Sequence, residues 1–304
     1  MDQAIDLFVI GAGVAGMTAA QAARQRGLSV ALAEEGMFGG LVTNINHLKP
    51  SLPGRVASGA DLAAEMMSTV ADLGVDFAMA PVLSFAGLPS GEIHVETAEG
   101  SRVARAVIVA SGAQLRRLGV PGEDEFEHRG VSHCADCDGP IYRGEAVLVV
   151  GGGDSALQEA ETLTEFCSMV HLVHRGNSFS ARAEFVEPVM ANSRVSAHFE
   201  TAVEAIEGKD GVEAVRLRNV RTGEELSLPC KGVFAYVGLN ANTAFVPSEI
   251  AMESERIKVD ESLQTSLANV YAVGAVRAGY GGRLTDAIED ATKAVDAVCT
   301  RLAP

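Results

Sequence analysis

The stretch Val131–Gly139 reads V-S-H-C-A-D-C-D-G, with Cys134 and Cys137 separated by two residues and Asp138 directly after the second. Two intervening residues let both sulfurs reach one turn and close a disulfide without large strain. The thiolate is the reactive form of cysteine, and within a C-x-x-C its pKa can fall towards neutrality. A carboxyl group beside the pair can move the proton that breaking and remaking a dithiol demands, which makes Asp138 a candidate acid/base. Cys134, Cys137, His133 and His128 could instead be offered to zinc. No second C-x-x-C accompanies them, so the redox reading is preferred and no metal is expected. An inert pair is the other alternative, because free cysteine packs well as a small hydrophobe.

A redox pair needs a source of electrons, and two stretches could bind one. Leu7–Ile10 is a short apolar run that ends in Gly11-Ala12-Gly13-Val14-Ala15-Gly16. An alanine-rich segment to Arg26, Gly27 and a second apolar run, Leu28–Ala33, follow, closing at Glu34-Glu35. This is a βαβ unit with G-x-G-x-x-G at its first turn. Gly11, Gly13 and Gly16 let the backbone approach a pyrophosphate at the helix N-terminus, and Glu34 stands where an acid holds ribose hydroxyls. The unit recurs at a shift of 140 residues, aligning Val9–Gly16 with Val149–Ala156. Gly151, Gly153 and Ala156 then form a second turn, Leu157, Ala160, Leu163 and Thr164 line a helix, and Met169–Val173 is the next strand.

The repeat provides an internal comparison. Glu34-Glu35-Gly36 in the first copy falls on His174-Arg175-Gly176 in the second. An acid suits free ribose hydroxyls, whereas a base there accommodates a 2′-phosphate. The first site therefore suits the adenosine of FAD or NAD. The second leans towards NADPH through Arg175, joined by Arg182, with NADH as the other possibility; the alternative is that Arg175 is a solvated surface charge.

The remaining segments supply the frame. Gly39-Gly40-Leu41 and a polar, proline-marked stretch to Gly54 precede a helix expected from Asp61 to Leu73. Val82–Phe85, Ile93–Thr97 and Arg102–Ala104 alternate and break at glycines, as a small antiparallel sheet would. Ala106–Ala110 reads as a buried strand ending at Ser111-Gly112-Ala113. Phe199–Ile206, Gly211–Asn219 and Glu225–Pro229 form another alternating set, followed by buried-type strands at Gly232–Gly238 and Val270–Gly274. Leu284, Ile288, Ala291, Val295, Val298 and Leu302 make one stripe of a closing helix. Asp286, Glu289 and Asp290 fall in its first turns, where the helix dipole favours acids.

Bulk properties exclude several classes. The chain has 304 residues, 47% hydrophobic and 21% charged, which is ordinary for a soluble globular protein; the length suggests two domains, with one large α/β unit as the alternative. A formal net charge of −16 argues against nucleic-acid or anionic-membrane binding. No apolar run approaches the roughly 20 residues that span a bilayer. The N-terminal residues lack the basic region of a signal peptide. Five cysteines, an odd number spread over a long chain, do not make a secreted disulfide framework. Cys167, Cys230 and Cys299 are read as core or incidental, and the expected location is the cytoplasm.

The order G-A-G-V-A-G, C-A-D-C-D-G, G-G-G-D-S-A-L-Q-E-A, H-R and V-Y-A-V-G-A-V-R resembles the low-molecular-weight thioredoxin reductases. These are FAD-dependent pyridine nucleotide–disulfide oxidoreductases, and the resemblance spans nearly the whole chain. It implies an α/β fold of two Rossmann-like, three-layer ββα domains. An FAD domain at 1–117 and 243–304 would be interrupted by an NAD(P) domain at 118–242 that carries the C-x-x-C. It places the redox disulfide on Cys134 and Cys137, with Cys137 on the flavin side, and the acid/base on Asp138. The flavin nucleotide falls on Gly11, Gly13, Gly16 and Glu34, with Gly40, Gly112, Gly274 and Ala275 as further cofactor contacts. NADPH falls on Gly151, Gly153, Ala156, His174, Arg175 and Arg182.

The implied activity is electron transfer from NAD(P)H through FAD and the disulfide to an external disulfide, in a thioredoxin-like protein or a small molecule, by a homodimer. The chain departs from the family pattern at three cofactor contacts: Ala275 in place of aspartate, Gly282-Arg283 in place of Arg-Gln, and Gly176 in place of the second arginine of H-R-R-x-x-x-R. The stretch Asn44–Gly54 also differs from the family's shorter segment. Two other readings compete with the reductase. One is an FAD- and oxygen-dependent dithiol oxidase that closes a small-molecule disulfide; the other is a degenerate, non-catalytic redox-binding module.

Overall fold

The computed structural model describes residues 4–45, 48 and 58–303. The chain divides into two compact units, Met1–Gln114 with Asn240–Pro304, and Leu115–Leu239. The stretch Asn44–Gly54, one of the departures noted above, lies largely outside the described residues.

In the first unit Ile5–Ile10 is the central strand, buried at four successive positions because both faces of the sheet are covered. It pairs in parallel with Val30–Ala33 on one side and with residues 104–109 on the other. Among the described residues the sheet has seven strands. Arg102–Ala104 and Ala106–Ala110, expected as separate strands, form one ten-residue strand, Gly100–Val109. Its first half is mostly exposed and pairs antiparallel with Ile93–Thr97; its second half is buried and pairs parallel with Ile5–Ile10 and Val270–Ala272. The change from alternating to continuous apolar residues thus marks a change of surroundings along one strand.

Two helices cover one face of this sheet. Val14–Gln25 presents Ala15, Ala19, Ala22 and Ala23, and Leu284–Leu302 presents Ala287, Ala291 and Ala294, to the same core. Small side chains let two helices approach closely and interdigitate. The stripe expected for the closing helix is present, with Ala291, Val295 and Val298 fully buried. Asp290, one of the acids in the first turns of that helix, is buried, at 7% exposed. The helix Gly59–Asp72 begins with a capping box, the Ser58 hydroxyl accepting from the Asp61 amide while the Asp61 carboxylate accepts from the Ser58 amide.

The second unit has three layers. A parallel sheet runs Val195–His198, Met169–Val173, Ala146–Gly151, Gly232–Tyr236, Val131–Ser132. Along its central strand Val147 and Val149 face the helix Asp154–Leu163, packing with Leu157, Ala160 and Leu163. Leu148 and Val150 face the opposite way, onto the three-stranded antiparallel sheet of Thr201–Gly208, Val212–Asn219 and Glu225–Pro229. Burial of both faces explains why this strand reads as an unbroken apolar run. Among the described residues no helix is long and apolar enough to cross a membrane.

Candidate active site

The edge strand Val131–Ser132 delivers Cys134 to the start of a single helical turn, Ala135–Asp138. Cys134 and Cys137 are joined as a disulfide, with their Cα atoms 5.3 Å apart. Cys137 is exposed and Cys134 is half-buried. The turn is held from several sides. The Ser132 hydroxyl accepts from the Cys134 amide at 3.2 Å, and the Asp138 amide donates to the Cys134 carbonyl at 3.1 Å. The Cys137 amide donates to Cys134 Sγ at 3.2 Å, a contact that favours sulfur as a thiolate once the disulfide opens. Gly139 lets the turn approach the helix behind it, since a Cβ there would lie 2.9 Å from the Phe166 ring. Asp138 follows Cys137 and is half-exposed; burial, with the nearby Asp138 charge as a smaller cause, raises the Tyr142 hydroxyl above its ordinary pKa. His133 does not turn to the sulfurs; its ring nitrogens lie 3.6 Å from Glu127 Oε1 and 3.4 Å from the Ala235 carbonyl.

Sequence reasoning missed the group behind the turn. Glu159, on the helix Asp154–Leu163, accepts from the Ala135 amide at 2.8 Å and from the Tyr236 hydroxyl at 3.0 Å, both through Oε2. Burial pushes the Glu159 carboxyl above its ordinary value and raises the Tyr236 hydroxyl as well. The signal was its spacing: Glu159 lies three residues after Ala156 and four before Leu163, so a charged side chain occupies the apolar face. Glu159→Leu strands an amide and a hydroxyl, and it is expected to destabilise the chain by about 1–3 kcal/mol per unpaired group. Glu159→Gln keeps one oxygen acceptor and is expected to fold normally.

The two variants can be separated by pH. Because the folded chain holds the Glu159 proton more tightly than the unfolded one, the wild type loses stability as pH rises from about 4.5 through the elevated folded value. Thermal unfolding across that window should show the decline in wild type and a weaker one in Glu159→Gln.

Both dinucleotide turns have the backbone that the glycine pattern requires. At Gly11 φ is +101°, and a Cβ at Gly16 would lie 1.8 Å from the Gly11 carbonyl oxygen, so strand and helix meet only because both are glycine. Gly13 caps the helix, with no protein atom closer than 3.8 Å to where its Cβ would be. Glu34 receives the Ala12 amide at 2.7 Å and the Gly36 amide at 3.0 Å, one on each oxygen, which leaves acceptor sites for hydroxyls. Gly40 starts a short 3-10 turn, and Gly112 accepts from the Asn242 amide at 3.1 Å.

In the second copy a Cβ at Gly151 would lie 2.4 Å from the Tyr236 carbonyl oxygen. Gly153 caps the helix with open space beside it, and Ala156 is fully buried. His174 follows the strand Met169–Val173, Arg175 is exposed, and Arg182 bonds to Asp154. Each turn thus has a helix N-terminus with room for a pyrophosphate.

The strand-end turn has a different support from the one its sequence suggests. At Gly274–Val276 the aspartate of the family pattern is absent, and Asp290 approaches from the closing helix. Its carboxylate accepts from the Gly274 amide at 3.0 Å and binds Arg277 through both oxygens, at 2.6 and 2.7 Å. The Arg256 guanidinium donates to the Ala275 carbonyl. Arg283 caps the closing helix, its amide donating to Asp286 at 3.0 Å.

A disulfide on an edge-strand turn beside one nucleotide-type turn, on a chain that carries a second, defines an oxidoreductase that exchanges electrons between dinucleotides and a dithiol. The comparisons agree. Residues 5–297 match the family model "Pyridine nucleotide-disulphide oxidoreductase", and the chain belongs to that family. It is 33% identical over 302 residues to the thioredoxin reductase of Treponema pallidum, covering 99% of this chain and 98% of that protein. It is 37% identical over 279 residues to the thioredoxin reductase of Listeria innocua, covering 90% and 86%. The crystal structure of Lactococcus lactis thioredoxin reductase superposes with a TM-score of 0.90 at 30% identity, covering 97% of this chain and 98% of that one. The chain is therefore a thioredoxin reductase-like oxidoreductase acting on a disulfide, and its family implies a flavin and a pyridine nucleotide. These findings favour the reductase over the oxidase and the non-catalytic module.

Proposed function

We propose that this chain is an FAD-dependent NAD(P)H:disulfide oxidoreductase, with FAD held by the first unit and the pyridine nucleotide by the second. The observation that carries the reading is the Cys134–Cys137 disulfide, on a turn bonded through the Ala135 amide to Glu159 of the helix that Gly153 caps. Gly11, Gly13, Gly16 and Glu34 would hold the adenosine and pyrophosphate of FAD, with Gly40, Gly112, Gly274 and Ala275 along its remaining length. Gly151, Gly153 and Ala156 would hold the pyridine dinucleotide. A flavin held there would supply the two-electron chemistry that links a nicotinamide hydride to sulfur.

The sulfur chemistry then follows. Two electrons and two protons open Cys134–Cys137 to a dithiol. One thiolate attacks an external disulfide and forms a mixed disulfide, releasing the first substrate thiol. The second cysteine displaces the other substrate thiol and restores the Cys134–Cys137 bond. Cys137, adjacent to Asp138, is assigned the flavin side, and Cys134 the substrate side. Asp138 gives and takes the proton at sulfur. The substrate is a thioredoxin-like protein or a small-molecule disulfide, and the protein works in the cytoplasm as a homodimer.

Steady-state assays against a panel of protein and small-molecule disulfides test the reading. Asp138→Asn is expected to lower turnover by about 10²-fold while leaving the disulfide and nucleotide binding intact. Unchanged turnover across the pH range would remove Asp138 from the mechanism.

A further inference from the structure

Resting on the assignment of the second turn to a pyridine nucleotide, we propose that this site takes NADH, with a free 2′-hydroxyl on its adenosine ribose, in preference to NADPH. A ribose 2′-phosphate carries close to two negative charges, and proteins that bind one answer it with arginines in bidentate, charge-assisted contact. Three side chains beyond the strand Met169–Val173 could provide positive charge here: His174, Arg175 and Arg182.

Two of the three are unavailable. The His174 ring packs over Gly152, where a Cβ would lie 2.4 Å from Nδ1, and against Phe179, 5.8 Å between ring centroids. That burial, together with the neighbouring Arg175, lowers the His174 pKa, so the imidazole is neutral at pH 7. The same ring closes the next position. A Cβ at Gly176 would lie 2.7 Å from His174 Nε2, so a second arginine could enter only if the ring moved.

Arg182 is already occupied. Its Nε is 2.7 Å from Asp154 Oδ2, a second guanidinium nitrogen is 2.8 Å from Glu184 Oε1, and its amide donates to Asp154 Oδ1 at 2.8 Å. Its guanidinium carbon also stands 4.7 Å from the centre of the Phe185 ring. Exposed ion pairs such as these are individually weak, about 0–1 kcal/mol, so the pairing energy does not decide the matter. The sign of the local charge does. Two carboxylates stand against the one guanidinium, so a phosphate drawn to Arg182 would bring a dianion up to the carboxylates of Asp154 and Glu184. Arg175 is left as a lone exposed arginine on a chain whose formal net charge is −16. A free ribose makes no such demand, because hydroxyls need only neutral hydrogen-bond partners.

Calorimetric titration of the purified, FAD-loaded full chain with NAD⁺ and with NADP⁺ tests this without relying on turnover. The expected result is a dissociation constant at least about tenfold higher for NADP⁺, equivalent to about 1.4 kcal/mol. In the double variant Asp154→Asn/Glu184→Gln, which removes the two negative charges beside Arg182, the ratio of the NADP⁺ to the NAD⁺ dissociation constant should fall several-fold. A wild-type ratio below tenfold, or a ratio unmoved in the double variant, overturns the inference while leaving the oxidoreductase reading in place. Binding of neither nucleotide overturns both the inference and the assignment of the second turn.

Discussion

Cys137→Ser is expected to abolish disulfide turnover, a loss on the order of 10³-fold or more, while the flavin remains reducible by pyridine nucleotide. A serine oxygen cannot form the exchangeable bond, so the remaining Cys134 thiol has no partner to close the cycle. Any mixed disulfide made at Cys134 then persists, because the residue that would displace the second substrate thiol is gone. Cys134→Ser should be equally inactive but should accumulate no such adduct. Mass analysis of each variant after exposure to a disulfide substrate separates the two roles. A stable adduct on Cys137 in the Cys134→Ser protein would reverse the assignment of attacking and flavin-side sulfurs.

Asp290→Ala is expected to destabilise the chain by about 3–5 kcal/mol, the usual consequence of removing one partner of a buried ion pair. Asp290 and Arg277 have side-chain exposures of only 9% and 14%, so the arginine left behind has little water to replace its partner. The Gly274 amide also loses its acceptor. Removing both charges in Asp290→Leu/Arg277→Met should cost less than the sum of the single variants, since no lone buried charge remains. Denaturant unfolding measures all three. Equal costs for the double variant and the summed singles would mean that the pair does not act as a unit. Because Asp290 holds the turn where the family pattern carries its own aspartate, Asp290→Ala should also weaken FAD retention during purification.

The parts of this molecule that rest on local pattern were legible in the sequence. Both glycine turns, the helices behind them and the C-x-x-C follow from residue types at fixed short spacing, and the structure puts the two cysteines within one disulfide. Contacts between distant residues were harder to read. Glu159 and Asp290 are acids on otherwise apolar helical faces, and their partners lie on other elements: Ala135 and Tyr236 for one, Gly274 and Arg277 for the other. Spacing could flag both as misplaced charges, but it could not name what neutralises them. Arg182 illustrates the opposite difficulty. Its place near His174 suggested a phosphate ligand, whereas its carboxylate partners, Asp154 and Glu184, became evident only from the fold.

Anaerobic reduction followed by thiol counting addresses the central sulfur couple most directly. The FAD-loaded chain is titrated with pyridine nucleotide, quenched with an alkylating agent and mapped by peptide mass. Uptake of four electrons per chain is predicted, two by the flavin and two by sulfur, with new alkylation confined to Cys134 and Cys137 and none gained at Cys167, Cys230 or Cys299. Uptake of two electrons, with Cys134 and Cys137 still joined, would contradict the account.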